Sequence, residues 1–120
     1  MTRMLFHCTH GGDDPERAIV PFIAANVAAA SGQEAVVLLT IEGAWLCKQG
    51  YAEEVEAEGF PDLAGLLTSF VEAGGQLWGC SACTTPRGIT DADLVPGAQI
   101  VGAATIVAAV AEGAAPVALG

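Results

Sequence analysis

Short apolar runs and longer amphipathic segments alternate along the chain, and this order predicts alternating strands and helices. Continuous runs rich in Val and Leu, such as 35–41, predict strands that are covered on both faces of a sheet. Further short runs bounded by turn residues predict strands at 4–8, 76–79, 98–101 and 115–119. The chain therefore carries five candidate strands.

Polar and turn residues mark where the first helix begins and ends. Asp14 suits the N-cap, Pro15 suits the first helical position, and the helix is expected to run to about residue 31. Gly32 suits its stop. Pro21 lies inside this helix and is expected to kink or restart it, because proline lacks the amide hydrogen that the helix needs.

The other intervals also carry helix signals. A second helix is predicted from Asp62 to the glycines at 74–75, a short helical turn begins at Cys80, and an apolar helix covers 102–112. A short helix at 51–58 would present its glutamates to solvent. Strands that alternate with helices imply crossovers and a mostly parallel sheet, so residues 1–120 are expected to form one α/β domain. Pro116 places the last strand at an edge, since proline removes a ladder donor.

Composition excludes several classes of protein. Hydrophobic residues make up 52% and charged residues 15% of the chain, whereas intrinsic disorder needs low hydrophobicity and high charge. Asp and Glu number 14 against 4 Lys and Arg, which gives a formal net charge of -10. Such a chain repels phosphate backbones and anionic lipid, so we expect no nucleic-acid partner and no membrane partner.

One uncharged segment, 94–111, is long enough to suggest a membrane span. Pro96-Gly97, Gln99 and Gly102 interrupt it, so it is interpreted as a turn, a short strand and a helix. Near the first residue, polar side chains interrupt the apolar run before it reaches the length of a secretory signal. The expected location is therefore the cytoplasm.

The predicted helix at 102–112 suggests self-association. Its residues up to 111 include Thr105 as the single polar side chain, and a helix that is apolar on all sides is normally buried on all sides. A chain of this length supplies one layer of helices to each sheet face, which leaves the outer surface in water. A partner subunit is expected to cover it, making the protein a homo-oligomer. The alternative is that alanines simply tolerate exposure.

Four cysteines fall at or just after predicted strand ends. Cys8 ends the first strand, Cys47 lies in the loop after the second, and Cys80 and Cys83 follow the third. Because the carboxyl ends of parallel strands meet at one edge of the sheet, where ligands bind, all four thiols are expected on one rim. In a cytosolic α/β chain, such thiols indicate metal binding or redox chemistry rather than structural disulfides.

Cys80 is the sharpest candidate for chemistry. It lies where a strand becomes a helix, so its sulfur is expected to meet unpaired backbone amides that favour the thiolate, which is the attacking form. Gly79 allows close approach of a ligand, and Cys83 comes one helical turn after Cys80, which would bring the two sulfurs near each other. Arg87 is a candidate to hold an anionic substrate, or else a solvated surface residue. The structural alternative for Cys80 is a buried, inert thiol.

Other residues carry less weight. His10 could polarise a substrate or the neighbouring thiol, and a loop histidine without such a role is the alternative. Gly11 and Gly12 do not make a phosphate-binding loop, because no Walker lysine or GxGxxG spacing follows them. We expect no bound cofactor.

Several segments together resemble one known family. They are LFHCTHG at 5–11, DDPERA at 13–18, the glycines at 74–75, Cys80 with Arg87-Gly88 after it, and GAQIVGA at 97–103. In this order, over nearly the whole chain, they resemble the DsrE/DsrF/DsrH-like sulfur-carrier family, which shares the fold of the sulfur-relay subunits for tRNA thiolation. The resemblance implies a three-layer α/β/α sandwich with a five-stranded, mostly parallel sheet.

The resemblance also implies oligomers, typically trimers or hexamers. By position, it matches Cys80 to the cysteine that carries persulfide sulfur in active members, which would have sulfur-donor and sulfur-acceptor proteins as partners. The chain departs from the relay subunits at Cys83, which replaces a small apolar residue, and at Pro86, which shortens the helix. A second thiol could resolve a persulfide into an internal disulfide.

Three functions are open at this point. In the first, Cys80 accepts sulfane sulfur and hands it on as a persulfide. In the second, Cys80 and Cys83 are the attacking and resolving thiols of a dithiol redox protein. In the third, they supply half of a metal site. The other ligands would come from Cys47, Cys8, His7 or His10. Alternation along a strand puts His7 and Cys8 on opposite faces, which disfavours this third function.

Overall fold

The computed structural model describes residues 3–119. Its strands are β1 Arg3–Cys8, β2 Glu34–Leu39, β3 Gln76–Cys80, β4 Ala98–Val101 and β5 Ala115–Ala118. All of them run parallel in one sheet, in the spatial order β4-β3-β2-β1-β5. The predicted α/β class and parallel sheet are confirmed.

Helices connect the strands. They are α1 Pro15–Ala30, α2 Leu63–Glu72, α3 Ser81–Thr84 and α4 Ala103–Ala111. The Asp14 carboxylate accepts from the Arg17 amide at 3.3 Å, and the Asp62 carboxylate accepts from the Gly65 amide at 3.0 Å. These bonds satisfy amides that lack an intrahelical partner, which fixes where α1 and α2 begin.

The sheet is covered on both faces, but unequally. Phe6, Leu39 and Leu77 point toward α1 and α2 and belong to the larger buried cluster. The alternate residues of the same strands, such as Leu5 and Trp78, point the other way and meet α4 in a smaller cluster. We call these two surfaces of the sheet the α1/α2 face and the α4 face. The three layers are those of an α/β/α sandwich.

Three expectations about local structure are wrong. α1 continues through Pro21 as one helix, so the expected restart does not occur, because proline removes a single bond of the helical ladder while its ring is buried. β2 ends at Leu39 rather than at residue 41, since Ile41 adopts a positive φ of 56° and begins the 3-10 helix Ile41–Cys47. The segment 51–58 contains only the short 3-10 helix Ala52–Glu54.

The end of the chain follows its sequence signals. β5 is the last strand in the sheet order and lies beside β1, so the edge position expected from Pro116 is confirmed. The uncharged segment 94–111 contains β4 and α4, as interpreted from its glycines and proline. Within residues 3–119, no helix is both long enough and apolar enough to span a bilayer.

Phe22→Ala is expected to lower the free energy of unfolding by about 3–5 kcal/mol, because a large aromatic side chain leaves a cavity in the core. Phe22 on α1 is fully buried and meets the Phe70 ring of α2 edge-on, with ring centroids 6.2 Å apart. Phe60→Ala is the matched control, since Phe60 is exposed and its loss is expected to cost about 1 kcal/mol or less. Urea denaturation followed by circular dichroism measures both variants. Equal losses would contradict the assignment of the α1–α2 contact to the core.

Candidate functional site

Cys80 lies at the carboxyl end of β3, a strand that has a neighbour on each side. Its backbone is extended, with φ -69° and ψ 123°, and it is the N-cap residue of α3. Alternation along β3 puts its side chain on the same face as Trp78, the α4 face. The thiol is half-buried and free, so its sulfur is neither sealed in the core nor held in a disulfide.

The start of α3 does not hold the Cys80 sulfur. In the described part of the chain, the Cys80 side chain makes no capping hydrogen bond to this helix. The expectation that helix-terminal amides surround the thiol is therefore wrong. The extended backbone of Cys80 lets the alternation of β3 set the side-chain direction, and the helix that follows has four residues. Partial exposure at a strand end distinguishes this thiol from the buried Cys8 and Cys47.

Cys83 lies in α3 and is also half-buried and free. Its position three residues after Cys80 brings the two thiols to the same end of β3. Positions three apart are neighbours on a helical turn. The structure therefore keeps the two sulfurs of the Cys-x-x-Cys segment on one part of the sheet edge.

Arg87 fastens α3 to the loop after β2. Its guanidinium donates from Nη2 and Nε to Glu42 Oε1, at 2.7 and 3.2 Å, and from Nη1 to the Cys83 carbonyl at 3.1 Å. A carboxylate thus already neutralises this cation, and the pair holds the thiol-bearing turn in place. Contact between Arg87 and an anionic substrate stays a prediction. Nothing in the local sequence marked Glu42 as the partner.

Cys8 and Cys47 do not share the rim with the other two thiols. Both belong to the cluster on the α1/α2 face, with exposed fractions of 1% and 0%. Cys8 Sγ donates to the His10 carbonyl at 3.3 Å, and Cys47 Sγ donates to the Ala44 carbonyl at 3.0 Å. Burial raises the pKa of each thiol to about 11, so both stay protonated at neutral pH. The predicted rim of four thiols is wrong for these two, because strand alternation and the 3-10 helix turn them inward.

Gly79 serves this internal packing. A Cβ at residue 79 would lie 3.2 Å from Cys47 Sγ and 3.2 Å from Thr84 Cγ2, which is closer than ordinary side chains pack. The missing side chain therefore lets Cys47 and α3 press against β3. Gly79 was expected to allow close approach of a ligand. On this face, Cys47 and Thr84 occupy that space instead.

His10 lies in the loop after β1 and pairs with Asp13. Its Nδ1 is 3.0 Å from Asp13 Oδ2, and Asp13 Oδ1 accepts from the Gly11 amide at 2.8 Å. The next amide, that of Gly12, donates to the Tyr51 hydroxyl at 2.8 Å. These bonds order the loop that leads into α1. The role of His10 in polarising a substrate remains a prediction.

His7 and Thr40 form a polar pair on the α4 face, the face that carries Cys80. His7 Nε2 is 2.8 Å from Thr40 Oγ1, and the two residues continue the alternation of Leu5 and Leu38. His7 is exposed on one side, and the partial burial of its ring lowers the pKa of the imidazole, which favours the neutral form. In the sequence, His7 was considered only as a metal ligand. The alternation of side chains could have predicted the pair, because it places His7 on the same face as Leu5 and Thr40 on the same face as Leu38.

A strained turn follows Thr40. Ile41 is the one non-glycine residue of the described chain with a positive φ, at 56°. A β-branched side chain in this region costs about 1–3 kcal/mol, and such strain concentrates at functional sites. Since the Ile41 side chain is exposed, its own burial does not compensate for the strain. The bonds of Thr40 to β1 and of Glu42 to Arg87 hold the turn on either side.

The thiols and histidines do not gather into a metal site. Within residues 3–119, no group of three or more His, Cys, Asp or Glu side chains is placed to hold an ion. Cys8 and Cys47 are protonated and lie on the opposite sheet face from Cys80. The arrangement therefore gives no support to the metal-binding alternative.

The chain is similar to two archaeal proteins. It is 30% identical over 97 residues to the uncharacterized protein MJ0760 of Methanocaldococcus jannaschii, a match that covers 81% of this chain and 35% of the relative. The chain thus spans about a third of that protein's length. It is 29% identical over 86 residues to the uncharacterized protein MK0008 of Methanopyrus kandleri, covering 71% of this chain and 67% of the relative.

Two solved structures share the fold. The ychN protein from E. coli superposes with a TM-score of 0.81 at 15% identity, covering 99% of this chain and 100% of the other. MTH1491 from Methanobacterium thermoautotrophicum, a protein of unknown function, superposes with a TM-score of 0.73 at 20% identity and the same coverage. At these identities the likeness concerns the fold alone. The family model of DsrE/DsrF-like proteins matches residues 2–118, which is nearly the whole chain. The resemblance seen in the sequence is therefore confirmed, and the chain belongs to the DsrE/DsrF-like family.

Proposed function

We propose that this protein carries sulfane sulfur as a persulfide on Cys80. The observation that carries the proposal is a contrast among the free thiols: Cys8 and Cys47 are buried and protonated, whereas Cys80 is half-exposed at a strand end. Membership of the DsrE/DsrF-like family supports a role in sulfur relay. A reducing compartment such as the cytoplasm would keep Cys80 and Cys83 available as thiols.

The loading step is a thiol exchange. The Cys80 thiolate attacks the outer sulfur of a donor persulfide, R-S-SH, so that a new S–S bond forms on Cys80 while the donor S–S bond breaks. The donor leaves as the thiolate R-S⁻, and Cys80 holds the sulfur as a persulfide. Neither an oxidant nor a reductant is consumed. The same exchange onto an acceptor thiol delivers the sulfur, so a sulfur-donor and a sulfur-acceptor protein are the partners required.

Cys83 gives the carrier a route for release. Attack of the Cys83 thiolate on the Cys80 sulfur of the persulfide forms a Cys80–Cys83 disulfide and expels hydrosulfide, HS⁻. A dithiol reductant must then restore both thiols. The bond from Arg87 to the Cys83 carbonyl, at 3.1 Å, would keep the turn ordered through this cycle.

Protein incubated with a small-molecule persulfide donor in the absence of oxygen is expected to gain the mass of one sulfur atom. Cys80→Ser is expected to gain none, and Cys83→Ser is expected to keep its sulfur longer, because no second thiol expels it. The buried thiols should stay unmodified, since burial raises the pKa of Cys8 and Cys47 to about 11. Intact mass and peptide mapping measure the gain and its position. Equal sulfur gain in Cys80→Ser would contradict the proposal.

A dithiol redox protein is the second candidate function. The observation that favours it is that Cys80 and Cys83 are both half-buried, both free and three residues apart at one end of β3. In this function Cys80 attacks a substrate disulfide, and Cys83 resolves the mixed disulfide that forms.

Titration of the Cys80–Cys83 couple separates the two functions. A redox protein is expected to have a potential within about -270 to -120 mV, the range of dedicated thiol oxidoreductases. A potential far outside this range would contradict the redox function, whereas loading of Cys80 with sulfur consumes no reductant and sets no requirement on this potential. Glutathione buffers of graded potential, followed by alkylation and mass measurement, give the value. A potential inside the range together with absent sulfur loading would favour the redox function.

We also propose that α4 contacts a second copy of the chain, in the trimers or hexamers that the family resemblance implies. No charged side chain occurs within Ala103–Ala111. On this helix Val107 is 67% exposed and Val110 is 43% exposed, while Ala109 is buried against the sheet. Burying such apolar surface contributes about 25 cal/mol per Å², which favours association through α4.

Val107→Glu is expected to shift the protein to a smaller assembly, because a carboxylate would lose its hydration in an apolar interface. Val27→Glu makes the same change at a 63% exposed position on α1 and is expected to leave the assembly intact. Sedimentation velocity measures the mass of each variant. An assembly that survives Val107→Glu but dissociates in Val27→Glu would place the interface on α1 and contradict this proposal.

A further inference from the structure

One basic side chain bonds to the segment that carries the accessible thiols. Arg87 ends the 3-10 helix Thr85–Arg87, which follows α3 directly, and its Nη1 donates to the Cys83 carbonyl at 3.1 Å. The guanidinium therefore lies against the residue that comes three positions after Cys80. Three residues of chain span at most about 11 Å, so both thiols of the Cys-x-x-Cys segment lie within the range of its charge at low salt.

The other basic side chains lie elsewhere. Arg3 lies at the amino end of β1 and Arg17 in the first turn of α1, and each is paired with a carboxylate. Lys48 lies over the Trp45 ring, with its Nζ 5.7 Å from the ring centroid. Within residues 3–119, Arg87 is thus the cation that bonds to the thiol-bearing turn.

A carboxylate already neutralises this cation. Glu42 Oε1 accepts from Arg87 Nη2 at 2.7 Å and from Nε at 3.2 Å, while Nη1 bonds to the Cys83 carbonyl. Every nitrogen of the guanidinium is therefore engaged, and an anion would have to displace Glu42 to bond with it. The Glu42 side chain is 38% exposed and that of Arg87 is 22% exposed, so the carboxylate is the more accessible member of the pair.

The charge of the whole chain acts in the same direction. The formal net charge is -10, so small anions are held at a lower concentration near the molecule than in bulk solution. Because Arg87 is neutralised, its charge does not offset this repulsion. Glu42 thus cancels the attraction that Arg87 would otherwise offer to an anionic sulfur compound beside the thiols.

We propose that Glu42 is a specificity-determining residue that excludes anionic sulfur donors. Its carboxylate cancels the charge of Arg87, so the thiols accept sulfur from a donor whose persulfide is flanked by uncharged or basic groups. Arg87 then holds the turn rather than the substrate. The inference rests on the proposed sulfur-carrier function and names the charge class of its donor.

The test is a charge series at this pair, in full-length protein that carries Cys83→Ser so that Cys80 is the accessible thiol. Glu42→Gln leaves a net positive charge at the pair, Arg87→Gln leaves a negative charge, and the double variant restores neutrality. The amide oxygen introduced by Glu42→Gln still accepts a hydrogen bond from Arg87. Cys83→Ser keeps the backbone carbonyl to which Arg87 donates.

The probes are two methanethiosulfonates that share an ethyl stem, one ending in a hydroxyl and the other in a sulfonate. The thiolate attacks the sulfenyl sulfur, a mixed disulfide forms and methanesulfinate leaves, so no other oxidant or reductant is consumed. Intact mass follows both rates at an ionic strength of about 0.01 M, where the Debye length is about 30 Å. The ratio of the sulfonate rate to the hydroxyl rate reports charge selectivity, because a change in thiol pKa or exposure affects both reagents.

The ratio is expected to rise about two- to fivefold in Glu42→Gln and to fall by a similar factor in Arg87→Gln. This is the size of the interaction with a unit charge across about 4–10 Å of water. The double variant is expected to return to the ratio of the parent. Glu72→Gln is the control, since it makes the same change in net charge at an exposed position on α2 and is expected to leave the ratio unchanged. In 1 M salt the differences are expected to vanish, because the Debye length falls to about 3 Å.

An unchanged ratio in Glu42→Gln would overturn the inference. A double variant that departs from the parent further than either single variant would also overturn it, because that order marks a structural role for the pair. Circular dichroism checks folding, and if Arg87→Gln does not fold, the contrast between Glu42→Gln and Glu72→Gln decides.

The carrier function and the charge selectivity fail separately. The thiosulfonates transfer no sulfane sulfur, so a failed carrier function appears instead as absent mass gain on Cys80 with a persulfide donor. Where loading occurs, the persulfide of 2-mercaptoethanol is expected to load the parent faster than the persulfide of 2-mercaptoethanesulfonate. Glu42→Gln is expected to narrow this difference, and faster loading of the parent from the sulfonate would contradict the assigned donor class.

Discussion

The parallel pairing of β1, β2 and β3 is the constraint on which the candidate site depends. In this register His7 stands level with Leu38, and Leu38 stands level with Trp78. Side chains alternate between faces with a period of two, so a slip of one residue in any strand would exchange its two faces. The register therefore decides which thiol faces the core and which faces the open side of the sheet.

Unequal coverage of the two sheet faces then separates the thiols chemically. The α1/α2 face is sealed by two long helices, and burial there raises the pKa of Cys8 and Cys47 to about 11. The α4 face is covered by one nine-residue helix, and Cys80 at its margin stays half-exposed. The same side-chain type is thus a small apolar residue on one face and an accessible sulfur on the other.

The turn after β2 ties the site together. Thr40 bonds to His7 of β1, the strained Ile41 begins the 3-10 helix, and Glu42 bonds to Arg87. Arg87 in turn holds the carbonyl of Cys83. Because bonds hold both ends of the strained turn, loss of either the Thr40–His7 bond or the Glu42–Arg87 bond would change the structure at the carboxyl end of β3. The strain at Ile41 is held by these contacts rather than by burial of its side chain.

The sequence by itself determined the order of the elements, the parallel sheet and the position of Cys80 at a strand end. These features rest on local signals: the Asp14 and Asp62 caps, the continuous apolar run of β2, and the proline in β5. Only the tertiary structure decided which partners the site residues have. The His7–Thr40 and Glu42–Arg87 pairs join residues 33 and 45 positions apart, and strand register and packing across the sheet bring them together. The inward direction of Cys8 follows from alternation, but the sealing of that face depends on how α1 and α2 pack, which no local pattern specifies.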